Sequence, residues 1–339
     1  MKRKLPKVGT EEAVQFCQLW DISTHAGKME LTDKYSVSYQ QARDYRCNCR
    51  GAEVMKRDYK LIPDVPWEEQ LDTFKKMDKL VAIHQQFPTE ITIILDTELP
   101  IAIPFAADFH LGAPGVDYEG FQDDIELMES EPGIRPFIGG DGYHNIIQPG
   151  KMGSSLNQIP IAPQKGLYVL TLKKLLHKIL CVGTGNHNYW TALAEGEDWD
   201  AELLRHRLKI VYIKHCAVVN LKVGQRVYPI LRMHKSRFKS SFNLTHSAKQ
   251  NQRLYFPDAR IVVTEHTHVG AIEQYRYNEK ECIAVQTGTY AVYDDYAQQN
   301  GYFGAHVCNP TVILYPKEDR LVGFKDMREA IIYLRAVRS

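Results

Sequence analysis

Five short fragments, each at or just past the end of an apolar run, limit what this chain can become. In order they are Asp108-Phe109-His110, Gly140-Asp141, Gly185-Asn186-His187, a lone His234, and His266-Thr267-His268. Apolar strands alternating with helices fold into an open α/β sheet, and ligands gather beyond the carboxyl ends of its strands. Loops converge there even when their residues are distant in sequence. Imidazole nitrogen with carboxylate or amide oxygen is a donor set for first-row divalent metals. Seven ligand-type residues exceed one tetrahedral site. They suit two metals sharing a carboxylate, the layout used to split phosphate esters.

The 339 residues leave room for one large core or two domains. No apolar run is long enough to cross a bilayer. The basic start, Met1 to Lys7, is not followed by an apolar signal segment. Seven scattered cysteines, an odd number, fit a reducing compartment. A cytoplasmic protein with no membrane partner is expected. Net charge is +1, but its distribution is uneven. Leu111 to Ile134 carries seven acids and no Lys or Arg, whereas Arg205 to Arg253 carries twelve Lys or Arg and no Asp or Glu. The second run surrounds His234. It reads either as a solvated basic face or as a positive wall that attracts a polyanion. On the second reading Arg232, Lys235, Arg237 and Lys239 meet a DNA backbone.

Residues 1–60 read as a small helical unit, 61–90 as a connector helix, and 91–339 as the main domain. Helices are expected from Glu11 to about Trp20, around Leu31 and Tyr35, and from Tyr39 to about Cys47. Ser38 is a good N-cap for the third. Leu31, Val37, Ala42 and Tyr45 resemble the core positions of a helix-turn-helix. That reading places Tyr39, Gln40, Gln41 and Arg43 where they meet base edges or phosphates; a plain three-helix packing unit is the alternative. Further on, strands Ile91–Leu95, Ile101–Ala107, Pro136–Gly139 and Ile179–Gly183 alternate with helices Gly166–His177 and Glu197–Leu208. A strand-rich half follows: Val211–Val223, Arg226–Met233, Arg260–Thr264, Gly270–Tyr277, Cys282–Gly288 and Thr311–Tyr315.

Asp108 and His110 are two apart, so on extended backbone they face one side, and His266 with His268 repeats the device. Asp141 can bridge two cations. Asn186 offers an amide oxygen. His187 points elsewhere on extended backbone and is expected to stay off the metals, free to pass a proton.

The order Asp-x-His, Gly-Asp, Gly-Asn-His, His, His-x-His resembles the calcineurin-like metallophosphoesterase superfamily over residues 100 to 290. The resemblance implies a four-layer α/β/β/α sandwich. It implies one metal on Asp108, His110, Asp141 and His268, and another on Asp141, Asn186, His234 and His266. The ions would be Mn2+, Fe or Zn, with Mn2+ favoured. His187 would be the acid or transition-state stabiliser while hydroxide held between the metals attacks phosphorus. Glu265 departs from the pattern, standing where the superfamily usually has Gly; it is expected to crowd the turn and add charge. His144, three residues after Asp141, resembles the DNA-repair nuclease branch of the Mre11/SbcD type, where that His helps position the phosphate. A helix-turn-helix-like segment ahead of such a domain also resembles phage-encoded members, which work in a host cytoplasm. A DNA-cleaving phosphodiesterase is the reading that results. Its rivals are a phosphatase or cyclic-nucleotide phosphodiesterase, and an inactive DNA-binding scaffold. No obligate protein partner is implied, and a homodimer is left open.

Overall fold

Thr10, Thr24 and Ser38 each open a helix. Thr10 and Thr24 accept the Ala13 and Gly27 backbone N–H groups, the ordinary N-cap device. Ser38 and Gln41 exchange bonds. Oγ of Ser38 accepts the Gln41 N–H at 3.1 Å, and Oε1 of Gln41 accepts the Ser38 N–H at 2.9 Å, which is a capping box. The helices are α1 (Glu11–Ile22), α2 (His25–Tyr35) and α3 (Tyr39–Met55), with α4 (Trp67–Gln85) after them. Phe16, Trp20, Ala42 and Cys49 form a small core, joined by Leu31, Val37 and Tyr45.

The computed structural model describes residues 4–55, 66–85, 89–147, 157–293 and 304–339. The expected boundary between residues 60 and 61 lies outside them. The chain divides into two compact units, Met1–Gln85 and Gln86–Ser339.

The second unit is built from two six-stranded sheets. Its strands are β1 (Glu90–Leu95), β2 (Ile101–Ala106), β3 (Phe137–Ile138), β4 (Cys181–Gly183), β5 (Tyr212–Ile213), β6 (Cys216–Val223), β7 (Arg226–Met233), β8 (Ile261–Thr264), β9 (Ala271–Tyr277), β10 (Lys280–Gln286), β11 (Thr311–Leu314) and β12 (Leu321–Phe324). One sheet runs β1-β6-β7-β8-β10-β9 and the other β12-β11-β2-β3-β4-β5. Strands β2 to β5 are parallel, as are β7, β8 and β10.

The sheets pack face to face. Ile101, Ile103 and Phe105 of β2 share a core with Val219, Leu221, Ile230 and Ile261 of the other sheet. The opposite face of β2, Ala102 and Ala106, packs on residues of α5 (Tyr118–Ser130), α6 (Ile161–Leu175) and the C-terminal helix α10 (Met327–Arg338). On the far side Leu231, Met233, Val262 and Ala284 pack on Ala248 of α9 (His246–Tyr255). The result is a four-layer α/β/β/α sandwich. Between β4 and β5 lie α7 (Asn186–Glu195) and α8 (Trp199–Ala201), which continues into a π-helical turn, Glu202–Arg207.

Two expectations are corrected here. Val211–Val223 is not one strand: it breaks at Lys214 and His215, leaving β5 and β6 in different sheets. The side-chain oxygen of Gln41 is not free for a base edge: it accepts the Ser38 N–H and caps α3. Of its neighbours, Tyr39 packs on Trp20 and His25, Gln40 bonds Asp44 at 2.8 Å, and Arg43 is exposed.

Candidate metal centre

Every fragment singled out above follows a strand. Asp108 and His110 leave β2, Asp141 leaves β3, and Asn186 and His187 follow β4. His234 leaves β7, while His266 and His268 leave β8. Three loops come from one sheet and two from the other, at the carboxyl ends of parallel strands. Backbone bonds fasten the loops together: Asp108 N–H donates to the Gly140 carbonyl at 2.8 Å, and His110 N–H to the Asp141 carbonyl at 2.9 Å.

The backbone is not extended at these ligands. Asp108, His110, Asp141, His266 and His268 have φ between 46° and 77°, the left-handed region that non-glycine residues seldom enter, Asn, Asp and His more often than the rest. His187 likewise lies not on extended chain but in the first turn of α7. The spacing of two therefore brings each pair together through local left-handed turns, not through the pleat of a strand.

Both buried carboxylates are used asymmetrically. Oδ2 of Asp108 accepts the His266 N–H at 3.1 Å and the Thr287 hydroxyl at 3.4 Å. Oδ1 of Asp141 accepts the His187 N–H at 2.8 Å. Their other oxygens, Oδ1 of Asp108 and Oδ2 of Asp141, are buried and take no backbone or hydroxyl donor. Imidazole nitrogens surround each. Oδ1 of Asp108 lies 3.5 Å from Nε2 of His268 and 3.9 Å from Nε2 of His110. Oδ2 of Asp141 lies 3.0 Å from Nε2 of His234 and 4.0 Å from Nε2 of His110. Nε2 of His234 is also 3.0 Å from Oδ1 of Asn186. Donor atoms cluster as Asp108, His110, His268 and as Asp141, His234, His266, each set within 4.8 Å.

An orphaned, buried carboxylate oxygen is costly unless something positive meets it. Two such oxygens facing clustered imidazoles fit two divalent cations.

The electrostatics agree. Burial works against a charged His234, yet Asp141 and Glu265 outweigh it and hold the imidazole up at about 10. The field that draws a proton to His234 also draws a cation. Burial, then its neighbour His234, pushes His266 down to about 3, so it offers a bare lone pair. Burial, then His187 and His268, lowers His110 well below its usual value.

His144 and His187 complete a third cluster with His110. Nδ1 of His144 sits 3.5 Å from Nδ1 of His110. Nδ1 of His187 meets the His144 carbonyl oxygen at 2.5 Å, and its ring lies over Trp190 at 4.2 Å between centroids. A buried acceptor fixes Nδ1 of His187 as the protonated nitrogen.

Sequence reasoning missed several supporting groups. Asn188 accepts the Gly142 N–H at 3.2 Å. Asn145 donates to the His187 carbonyl at 2.6 Å and to Thr191 at 3.0 Å. Glu265 does not crowd its turn. It points inward to Arg232, at 2.5 and 2.7 Å, and to Nδ1 of His234 at 2.9 Å. The one available signal was glycine: a Cβ on Gly185 would lie 2.1 Å from Oδ1 of Asp141.

The basic run is corrected too. Arg232 has no exposed surface and is bound to Glu265, so it cannot touch DNA. Arg207, Lys214 and Lys249 also pair with acids outside the run, Glu202, Asp198 and Glu273. Lys235, Arg237 and Lys239 are exposed on the segment that leaves His234.

No family model matches the chain, and no curated protein matches it. Similar solved structures include Vacuolar Protein Sorting 29 from Cryptosporidium parvum, with 15% identity over 67% of this chain and 100% of that one, at a TM-score of 0.38. A metallophosphoesterase from Sphaerobacter thermophilus shares 15% identity over 70% of this chain and 100% of its own, at 0.35. A protein serine/threonine phosphatase from Saccharomyces cerevisiae shares 12% over 74% and 89%, also at 0.35. These likenesses are too loose to transfer a role to any residue.

Proposed function

We propose that this protein is a two-metal phosphodiesterase of the calcineurin-like type, acting on DNA. The observation that carries the chemistry is the pair of buried carboxylates, Asp108 and Asp141, each with one pinned oxygen and one orphaned oxygen ringed by imidazoles. Asp108, His110, Asp141 and His268 would hold one ion. Asp141, Asn186, His234 and His266 would hold the other, and Mn2+ is the ion proposed. Bound there, the pair supplies an activated water and neutralises charge on the phosphoryl oxygens. His187 has Nδ1 committed to the His144 carbonyl, so only as imidazolium, with a second proton taken from solvent onto Nε2, would it protonate the leaving oxygen and return to the neutral Nδ1–H form. His144 braces both His110 and His187.

DNA is favoured by Lys235, Arg237 and Lys239, three exposed cations on the segment leaving His234. Arg237 also lies over the Phe238 and Tyr255 rings, at 4.9 and 5.4 Å, a surface on which unpaired bases can stack. A phosphatase or cyclic-nucleotide phosphodiesterase is the second reading. It draws on the ion pairs that already engage Arg207, Lys214, Arg232 and Lys249. An activity panel with Mn2+ separates the two: linear and circular DNA, single strands, a cyclic dinucleotide and a phosphomonoester. Fastest turnover on DNA is expected. Preference for the phosphomonoester or the cyclic dinucleotide would replace DNA with the rival substrate class.

A further inference from the structure

Glu265 and Arg232 form a buried ion pair inside the metal centre, and the pair touches four strand ends. Oε2 of Glu265 accepts the Gly140 N–H at 2.8 Å, at the end of β3. The same oxygen meets Nδ1 of His234 at 2.9 Å, just past β7, and Nη2 of Arg232 at 2.5 Å. Oε1 accepts Nε of Arg232 at 2.7 Å. Nη2 of Arg232 also donates to the Thr184 carbonyl at 3.0 Å, beyond β4. Glu265 itself lies beyond β8. The chain makes room for the pair with two glycines. A Cβ on Gly183 would sit 2.1 Å from Cζ of Arg232, and one on Gly139 would sit 2.6 Å from Oε1 of Glu265.

An ionised carboxylate can only accept. Nδ1 of His234 must therefore donate to Glu265, which makes Nε2 the nitrogen that a cation would meet in place of a proton, 3.0 Å from both Oδ2 of Asp141 and Oδ1 of Asn186. Ligating histidines are commonly held in one tautomer by a carboxylate on the far nitrogen, and loss of that partner costs about 10–100-fold in metal affinity.

We infer that Glu265, held by Arg232, is a positioning residue for the ion bound by His234: it sets the tautomer and direction of that imidazole and ties the Gly140-Asp141 turn to it. Removing Arg232 and Glu265 together is the useful change, since removing one alone strands a buried charge. The inference rests on the two-metal reading of the site.

The experiment titrates Mn2+ calorimetrically into metal-stripped, full-length wild type, Arg232→Met/Glu265→Met and Arg232→Met/Glu265→Gln, with metal counted after dialysis. Both double variants keep side-chain volume, and only the second keeps an acceptor for Nδ1. Wild type is expected to bind two ions. The Met/Met variant should lose about 10–100-fold at one of them, and the Met/Gln variant should recover most of that loss. Equal affinities in all three would overturn the inference while leaving the metal centre intact. A wild type that binds no divalent ion removes the metal centre itself, and the inference with it. A second measurement needs no variant. In the Zn2+-loaded wild type, long-range proton–nitrogen NMR should find the His234 proton on Nδ1. A proton on Nε2 overturns the proposal.

Discussion

The backbone N–H of His187 donates to Oδ1 of Asp141 at 2.8 Å, from the first turn of α7. One carboxylate oxygen is thus held at a helix N-terminus, where the partial positive charge favours an anion. The other is left for cations. Asp141→Asn keeps the shape and the accepted bond but removes the charge. Metal-dependent hydrolysis of a generic phosphodiester should fall about a thousandfold, the equivalent of several kcal/mol of charge stabilisation. Circular dichroism should still report a folded chain. Unchanged turnover would sink the bridging role.

His187 is tested by separating binding from rate. With Nδ1 held by the His144 carbonyl, His187→Ala should retain both ions after dialysis and lose about 10²–10⁴ in rate, the usual range for general acid catalysis. Loss of an ion would instead make His187 a ligand.

Gly183 belongs to β4 and takes ordinary backbone angles, so its need for hydrogen is purely spatial. Gly183→Ala drives a methyl into the buried Arg232 guanidinium. Overpacking of this kind costs about 1–3 kcal/mol, to be read as a lower urea midpoint at constant slope. An unshifted midpoint would show that Arg232 moves aside freely.

Asp200 carries a pH dependence away from the ligands. Burial, then the nearby Asp198, raises its carboxyl from 3.8 to about 7, although Tyr143 and Thr184 each donate to it at 3.1 Å. The folded state holds this proton more tightly than the unfolded chain does. Its stabilising effect is complete below about pH 4 and is lost as pH rises through 7. The full effect is on the order of 4 kcal/mol. Asp200→Asn has no proton to lose. The stability of wild type relative to Asp200→Asn should therefore fall between pH 5 and pH 8. A difference that stays constant across that range would show that Asp200 does not titrate there.

The first unit has its own core around Phe16 and Trp20 and an exposed Arg43. Deleting residues 1–50 should weaken DNA binding, read by mobility shift at fixed salt, and spare small-substrate turnover. Equal DNA affinity with and without them would remove the helix-turn-helix reading.

The ligands were legible because each ends an apolar run, a signal that survives without knowing which strands pair. The backbone geometry that pairs them was not. Nothing in Asp108-Phe109-His110 announces left-handed φ, and the period-two argument assumed a pleat that is absent there. The break in Val211–Val223 carries no Gly or Pro, the usual punctuation. Helix α7 was hidden because His187 was read on extended backbone, whereas it lies in the first helical turn. In α5 the buried positions Phe121, Asp124, Ile125 and Met128 do keep helical spacing, but a run of acids surrounds them. Arg232 and Glu265 lie 33 residues apart, and charge alone says nothing about burial. The basic run was overestimated for the same reason.

Five residues of the centre, Asp108, His110, Asp141, His266 and His268, hold left-handed backbone angles that Gly alone takes at no steric cost. At about 1–2 kcal/mol for a left-handed L-residue, the set strains a fold whose whole margin is about 5–15 kcal/mol. Held this way, all five side chains point into the two clusters of donor atoms.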